Sequence, residues 1–206
     1  MTSRDAVRLW DAEAPGFDLA ADHGLLDPAV RAAWSRLMHD LLPPPASRVA
    51  DLGCGTGTLA LLLAEHGHAV DGIDFSPEMV ERALTKTAHE PDVTVTEADA
   101  YDPPLTPGDY DVVLSRHVLW AMPDPVEALR RWSALLAPEG RLVLVEGYWS
   151  QGDGTRGGLT AQEVVTALGA IGRSGTVHPL PDPQLWGKRI DDERYAVVST
   201  GPISRP

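Results

Sequence analysis

Along the chain, short runs of consecutive apolar residues alternate with stretches whose apolar positions recur every three or four residues. The runs predict strands buried on both faces and the recurring stretches predict amphipathic helices, the signature of βαβ units around a parallel sheet. Residues 48–53 read as a first strand and residues 58–66 as the helix after it, with Leu59, Leu62 and Leu63 on one face. A second strand follows at 69–75. Ser76 then stands as N-cap, Pro77 at the first helical position and Glu78 at the positive dipole end, with Met79, Val80, Ala83 and Leu84 as the apolar face. Residues 93–98 and 110–115 predict strands three and four. Asp124-Pro125-Val126-Glu127 opens a helix with a capping box; it runs to about residue 137 and stops at Pro138-Glu139-Gly140. Residues 141–148 are a fifth strand, and Thr160-Ala161-Gln162-Glu163 is a second capping box, for a helix to about residue 172. Residues 176–180 and 194–200 complete seven strands.

Two connections bear on topology. The Pro- and Gly-rich link at 101–109 is too short for a helix. Extended, it reaches about 30 Å, enough to cross the roughly 15 Å from strand three to a place beyond strand one. Ahead of strand one lie two helical stretches. The second opens at Asp27-Pro28 and carries Val30, Ala33, Trp34, Leu37, Met38 and Leu41 before the stiff Pro43-Pro44-Pro45 hinge. Residues 1–45 are therefore expected as an N-terminal helical lid and residues 46–206 as the main domain, compact overall. The chain shows no internal repeat.

Composition narrows the classes. At 206 residues, 43% hydrophobic and 23% charged, the chain is an ordinary globular one. No run approaches the roughly 20 apolar residues of a membrane span, and the start, with Arg4, Asp5 and Arg8, lacks a signal-peptide core. Cys54 is the only cysteine, which excludes a disulfide or a cysteine zinc site within one chain and points to a reducing cytoplasm. No metal is expected. Seventeen basic against 30 acidic residues give a net charge of −13, and the basic residues are scattered, at most paired as Arg130-Arg131 and Lys188-Arg189. That pattern disfavours nucleic acid as a partner; a small neutral or cationic substrate fits the balance better. Oligomeric state is not legible.

The chemistry concentrates in Asp51-Leu52-Gly53-Cys54-Gly55-Thr56-Gly57, between a strand and a helix. Glycines there permit positive φ and a close backbone approach, and the helix N-terminus favours an anionic or electron-rich group. The dinucleotide fingerprint G-x-G-x-x-G requires glycine where Thr58 stands, and the P-loop's Gly-Lys-Ser/Thr is absent. Asp74 ends strand two, about twenty residues on, where a carboxylate can accept ribose hydroxyls. Asp99 follows strand three, placed for an adenine amine, with the N–H of Ala100 for a ring nitrogen. Met79 can lie against the adenine face. A glycine loop and two acids in register point to an adenosyl ligand.

Residues 49–83, VADLGCGTGTLALLLAEHGHAVDGIDFSPEMVERA, resemble motif I and its continuation in class I S-adenosylmethionine (SAM)-dependent methyltransferases. EADAYDPPL resembles their adenine-binding segment, and YDVVLSRHVLWAMPDPVEALRRWSALLAPEGRLVLVEG their fourth strand through fifth. The flanks are similar to small methyltransferases common in actinomycete genomes, several of which modify secondary metabolites. The resemblance implies an α/β, Rossmann-like seven-stranded sheet of order 3-2-1-4-5-7-6, antiparallel last strand, helices on both faces and an N-terminal helical lid. It implies SAM as cofactor, with cofactor contacts at Asp51, Gly53, Gly55, Gly57, Asp74, Phe75, Met79, Asp99, Ala100 and Ser115. Asp102-Pro103-Pro104-Leu105 resembles the D/N-P-P-Y/F signature of amino-group methyltransferases, but it follows strand three rather than four and reads as a turn.

Acceptor-side candidates leave the carboxyl end of strand four, at the topological switch point. His117 is the candidate general base, or else a histidine that bonds a loop or the cofactor carboxylate. Arg116 can pair with the methionyl carboxylate, with a substrate anion, or with a surface carboxylate. Trp120, and Glu146, Tyr148 and Trp149 after strand five, are candidate pocket walls; Trp10, Phe17 and His23 stand in the lid. The expected activity is methyl transfer to O or N of a small molecule, the alternative being a SAM-binding sensor or non-methylating cyclase.

Overall fold

A computed structural model describes residues 3–151 and 155–201. The front segment holds α1 (Ser3–Glu13), a 3-10 turn (Ala14–Leu19), α2 (Ala21–Gly24) and α3 (Pro28–Leu41). The alternating body follows: β1 (Arg48–Leu52), α4 (Thr58–Glu65), β2 (Ala69–Asp74), α5 (Pro77–Lys86), β3 (Val93–Glu97), β4 (Tyr110–Arg116), a 3-10 turn (Leu119–Ala121) and α6 (Pro125–Ala134). Then come β5 (Leu136–Gln151), β6 (Thr155–Gly158), α7 (Ala161–Ala170), β7 (Thr176–Pro179), α8 (Pro183–Trp186) and β8 (Glu193–Thr200). The sheet order is β3-β2-β1-β4-β5-β8-β7, with β6 paired to β5. Apart from β6 this is the expected order, antiparallel β8 included. The 101–109 link makes the crossing from β3 to β4.

The strands alternate with period two between two layers. Val49, Val112, Leu114, Val143 and Val145 face α3, α4 and α8. Ala50, Leu52, Val113, Leu142 and Leu144 face α6 and α7. Each fully buried aliphatic side chain contributes roughly 1.5–3 kcal/mol. Two buried indoles stitch the layers to the loops. Trp34 donates from Nε1 to the carbonyl of Leu185, and Trp132 to that of Ala100, both at 2.7 Å. α3 thus belongs to the core layer, while residues 3–24 lie toward the glycine loop.

Three local expectations differ. α6 ends at Ala134, because Leu136 already pairs with Tyr110 as the start of β5. Pro138-Glu139-Gly140 then sits at a register shift within β5; a Cβ at Gly140 would lie 2.7 Å from the Tyr110 carbonyl, so only glycine passes there. At the start of α6, Asp124 caps Val126 and Glu127 N–H, but the Glu127 carboxylate turns to Arg130 and Arg131 instead of closing a box. The box at Thr160 and Glu163 closes in both directions. Finally, β6 has no counterpart in the sequence reading: Thr155-Arg156-Gly157-Gly158 carries no alternation, and its pairing to β5 supplies the order.

Candidate cofactor and acceptor site

The three loop glycines all adopt left-handed backbone, with φ of +75°, +56° and +75° at Gly53, Gly55 and Gly57. Close contact adds to that demand: a Cβ at Gly53 would stand 2.3 Å from Cγ2 of Val118. The N–H groups of Gly53 and Cys54 donate to the Ile73 carbonyl at 2.7 and 3.0 Å, pinning the loop to β2. Gly57 begins α4 without a side-chain cap.

Acids surround this loop. Asp51 is only 2% exposed, and its Oδ2 has no hydrogen-bond partner. Burial above all, with neighbouring Asp74 adding and Arg116 opposing, pushes its pKa up to about 7. Asp74 is buried; Oδ2 accepts from Gly55 N and Oδ1 from Ser76 N, both at 2.9 Å. Its pKa is raised, burial outweighing these bonds. Ser76 caps Met79 N, and Met79 is buried beside half-buried Phe75. The Ala98 N–H donates to the Asp74 carbonyl, bringing the next turn alongside. There Asp99 is exposed and accepts from Tyr101 N at 2.8 Å, while Ala100 is buried. Ser115, at the end of β4, is buried with Oγ unpartnered.

The front segment closes on this loop. The Phe17 ring lies 3.2 Å from where a Gly55 Cβ would stand, stacks on His23 at 4.2 Å, and meets Trp10 edge-on at 6.2 Å. Asp18 accepts from Thr56 Oγ1 and pairs with Lys86 at 2.8 Å; Lys86 also donates to Thr56 and Thr58. Asp11 accepts from Ser76 Oγ at 2.6 Å. The cleft left between Phe17, His23, Asp51, Gly53, Gly55 and Arg116 measures about 30 Å³, room for a water or two. A larger recess of about 390 Å³ lies on the outer side of α5, but its walls, from Asp18 to Lys86, are all polar or charged and hold none of the loop. The smaller cleft is therefore the site.

Beyond Arg116 the chain turns sharply. His117 takes φ +58°, unusual for a residue with a side chain. Its N–H donates to the Val145 carbonyl, and Glu146 Oε1 accepts from Val118 N at 3.0 Å and Leu119 N at 2.8 Å. Glu146 is wholly buried, which pushes its pKa up to about 8. Glu146 thus holds the loop backbone rather than lining a pocket. Both ring nitrogens of His117 are out of solvent and unpartnered. The ring meets Trp149 edge-on at 5.3 Å and Trp186 at 6.2 Å. Trp120 meets Trp149 edge-on at 5.5 Å and donates to the His117 carbonyl. Arg194 lies over both Trp149 and Trp186, 5.1 Å from each ring, with Nε and Nη2 on Asp192. Arg116 stacks over Trp34 at 5.0 Å and donates to the Asp22 carbonyl. Burial first, then Arg116, Arg194 and His23, hold the His117 pKa well below its ordinary value.

The predicted residues thus fall into two groups. Trp10, Phe17 and His23 lie on the glycine-loop side; His117, Trp120 and Trp149 form an aromatic cage, and Arg116 stands between the groups. Tyr148 is half-buried on β5, paired with Gly158. Asp11, Asp18, Lys86 and Arg194 were not foreseen. Each makes its contact with an element distant in sequence, so no local pattern signals it.

Residues 50–144 match the family described as methyltransferase domain. The chain is 38% identical over 137 residues to a demethylmenaquinone methyltransferase of Thermus thermophilus, covering 65% of this chain and 61% of that one. In this stretch and in fold the chain is similar to the class I SAM-dependent methyltransferases. It is also 34% identical over 142 residues to a ubiquinone biosynthesis O-methyltransferase of Xanthomonas campestris, covering 68% of this chain and 56% of that one. It spans 44% to 61% of the length of the first curated relatives it matches. In fold it superposes on a SAM-dependent methyltransferase from Aquifex aeolicus with a TM-score of 0.73 at 16% identity, over 92% of this chain and 97% of that one. It superposes on the [4+2]-cyclase SpnF with 0.70 at 19%, over 84% and 82%.

The cofactor that this similarity implies is SAM, and the residues fit it. The unpartnered Oδ2 of Asp51 suits a cationic group, the glycines form a cradle that a Cβ would fill, and Asp74 lies at the loop. The cleft is smaller than the whole molecule, and the Phe17 ring covers Gly55 at its edge.

Proposed function

We propose that the protein methylates an oxygen or nitrogen of a small-molecule acceptor. The observation that carries this reading is the unpartnered carboxylate oxygen of Asp51 beneath the glycine cradle, one loop away from an imidazole whose nitrogens are also unpartnered. When bound, SAM supplies an electrophilic methyl on sulfur. Asp51 holds the methionyl ammonium and Arg116 the carboxylate, as its place on the cleft wall supports. Asp74 takes the ribose, Phe75 and Met79 flank the adenine, and Asp99 with the Ala100 N–H reads its edge. Gly53, Gly55 and Gly57 let the backbone approach, and Ser115 offers an unpaired hydroxyl at the mouth of β4.

Residues 3–24 act as the lid, latched by Asp18 on Lys86 and Thr56. Closure excludes water, and the cage walls orient the acceptor, which is where most of the rate is gained in such transfers. Among the described residues no group of three or more His, Cys, Asp or Glu could hold a metal, and no helix is long and apolar enough to cross a membrane. Relatives named for menaquinone and ubiquinone biosynthesis support a small ring-bearing acceptor over a nucleic acid. The test is calorimetric titration with SAM and its demethylated product (SAH), followed by an acceptor panel read by SAH formation. Tight SAM binding with no SAH formed on any acceptor would move the protein to the non-methylating reading.

A further inference from the structure

The net charge of −13 suggests a cationic acceptor, but the charges that face His117 have the opposite sign. Arg116 approaches from β4 and Arg194 from β8, while His23, from α2, is kept neutral by burial, which pulls its pKa down to about 4. The carboxyl group nearest along the loop, Glu146 on β5, spends Oε1 on the N–H groups of Val118 and Leu119, and burial keeps it largely protonated at neutral pH. Arg194 is built in: its guanidinium lies 5.1 Å from each of two indole rings and Asp192 takes Nε and Nη2, leaving Nη1 uncommitted among the described residues. A cation stacked on aromatic faces and partly withdrawn from water acts on its neighbours with little screening. His117 has two unpartnered nitrogens there, one of which must carry a hydrogen when the ring is neutral.

The Asp192 carboxylate of this cage is taken up by Arg194, so an amine acceptor finds none free to take its proton, and its cationic form is repelled by Arg194. An ionised oxygen is favoured by Arg194, and has no proton left to remove. We propose that the acceptor is a planar molecule whose methyl-accepting oxygen enters ionised, as a phenolate or carboxylate, held by Arg194 against the walls of Trp149 and Trp186 with the His117 ring N–H as its donor. Resting on the methyltransferase reading of the same cleft, this makes His117 a hydrogen-bond donor and not a general base, and makes Arg194 the residue that selects the acceptor's charge.

The test titrates the SAH-loaded protein with benzoate, 4-nitrophenol and benzylamine. SAH affinity is measured first, so failure there is failure of the cofactor reading and not of this one. With SAH bound, the anionic probes bind at least tenfold more tightly than benzylamine. The yellow phenolate form of 4-nitrophenol reports its own ionisation, and binding lowers its apparent pKa by about one unit, a tenfold shift in that equilibrium. Arg194→Met abolishes the colour shift and weakens both anions at least tenfold, Arg194→Lys restores much of each, and both variants bind SAH as the parent does, which certifies the fold. Benzoate binding alone assigns the acceptor to carboxylates, and 4-nitrophenol binding alone to phenols. Benzylamine binding as tightly as benzoate, a bound nitrophenol that loses colour, neither anion binding to the SAH complex, or a colour shift that survives Arg194→Met overturns the proposal.

Discussion

Cofactor binding is predicted to release protons, and the residue responsible is Asp51. In the structure its carboxyl is 2% exposed with one oxygen unpartnered, and its pKa stands at about 7 instead of 3.8. Near pH 7 the group is therefore about half protonated. A cation brought to that oxygen favours the ionised form; a unit pair at about 4 Å is worth roughly 4 kcal/mol at an effective dielectric of about 20. That is about the same as the roughly 3-unit rise it would reverse, at 1.36 kcal/mol per unit. Binding should then expel about half a proton near pH 7, close to one near pH 5.5, and almost none near pH 9. Calorimetry in phosphate, HEPES and Tris reads this directly, as the slope of observed binding enthalpy against buffer ionisation enthalpy. The free protein carries the complementary signature. A carboxyl whose folded pKa is raised lends stability below its unfolded value and loses it as pH rises through about 7. Asp51→Asn should thus stabilise the free protein near pH 8, by an amount whose upper bound is about 4 kcal/mol, and weaken SAM at least tenfold. A binding enthalpy independent of buffer, or an Asn variant that binds SAM normally, would refute the reasoning.

Three other perturbations test separate parts of the site. Gly53→Ala should cost more than about 2 kcal/mol of stability and abolish SAH binding, since the new methyl meets Val118 Cγ2 at 2.3 Å on a left-handed backbone; adding Val118→Ala should restore part of the melting temperature, and no restoration would mean the clash is not the cause. Glu146→Gln should keep the loop, because the amide oxygen can still accept from Val118 and Leu119, whereas Glu146→Ala should destabilise by about 2–4 kcal/mol. With its folded pKa near 8, Glu146 also makes the parent lose stability as pH rises from about 4.5 through 8; denaturation across that range should show a smaller fall in the Gln variant. Lys86→Met unlatches Asp18, Thr56 and Thr58, so amides of residues 16–19 should exchange at least fivefold faster by hydrogen-exchange mass spectrometry, and unchanged exchange would remove the latch.

What could be read in advance was what local chemistry dictates. The Ser76 and Thr160 caps are side chains bonding to backbone three residues on, and both stand where the sequence places them. The glycine loop was legible because positive φ excludes most other residues. Strand order came from the family resemblance, and the reach of the 101–109 link made its crossing feasible. Where the reading failed, a partner from far along the chain decided the outcome. Leu136 left α6 because Tyr110 offered it a strand, and Thr155 to Gly158 became β6 because β5 was already there. Glu146, an apparent wall, was drawn to two N–H groups exposed by the left-handed turn at His117. The lid latch and the Trp149 side of the clamp on Arg194 join residues dozens of positions apart, and only the fold brings them together.

The central claim is that the loop at Asp51 to Gly57, completed by Asp74, is a SAM site. The most direct measurement is a calorimetric titration of the parent and of Asp74→Ala with SAH, and of the parent with NADH. The account predicts a single SAH site in the parent, an affinity at least tenfold weaker in Asp74→Ala while that variant still unfolds cooperatively, and no NADH binding. Equal SAH affinity in the two proteins, or binding of NADH in place of SAH, would contradict it.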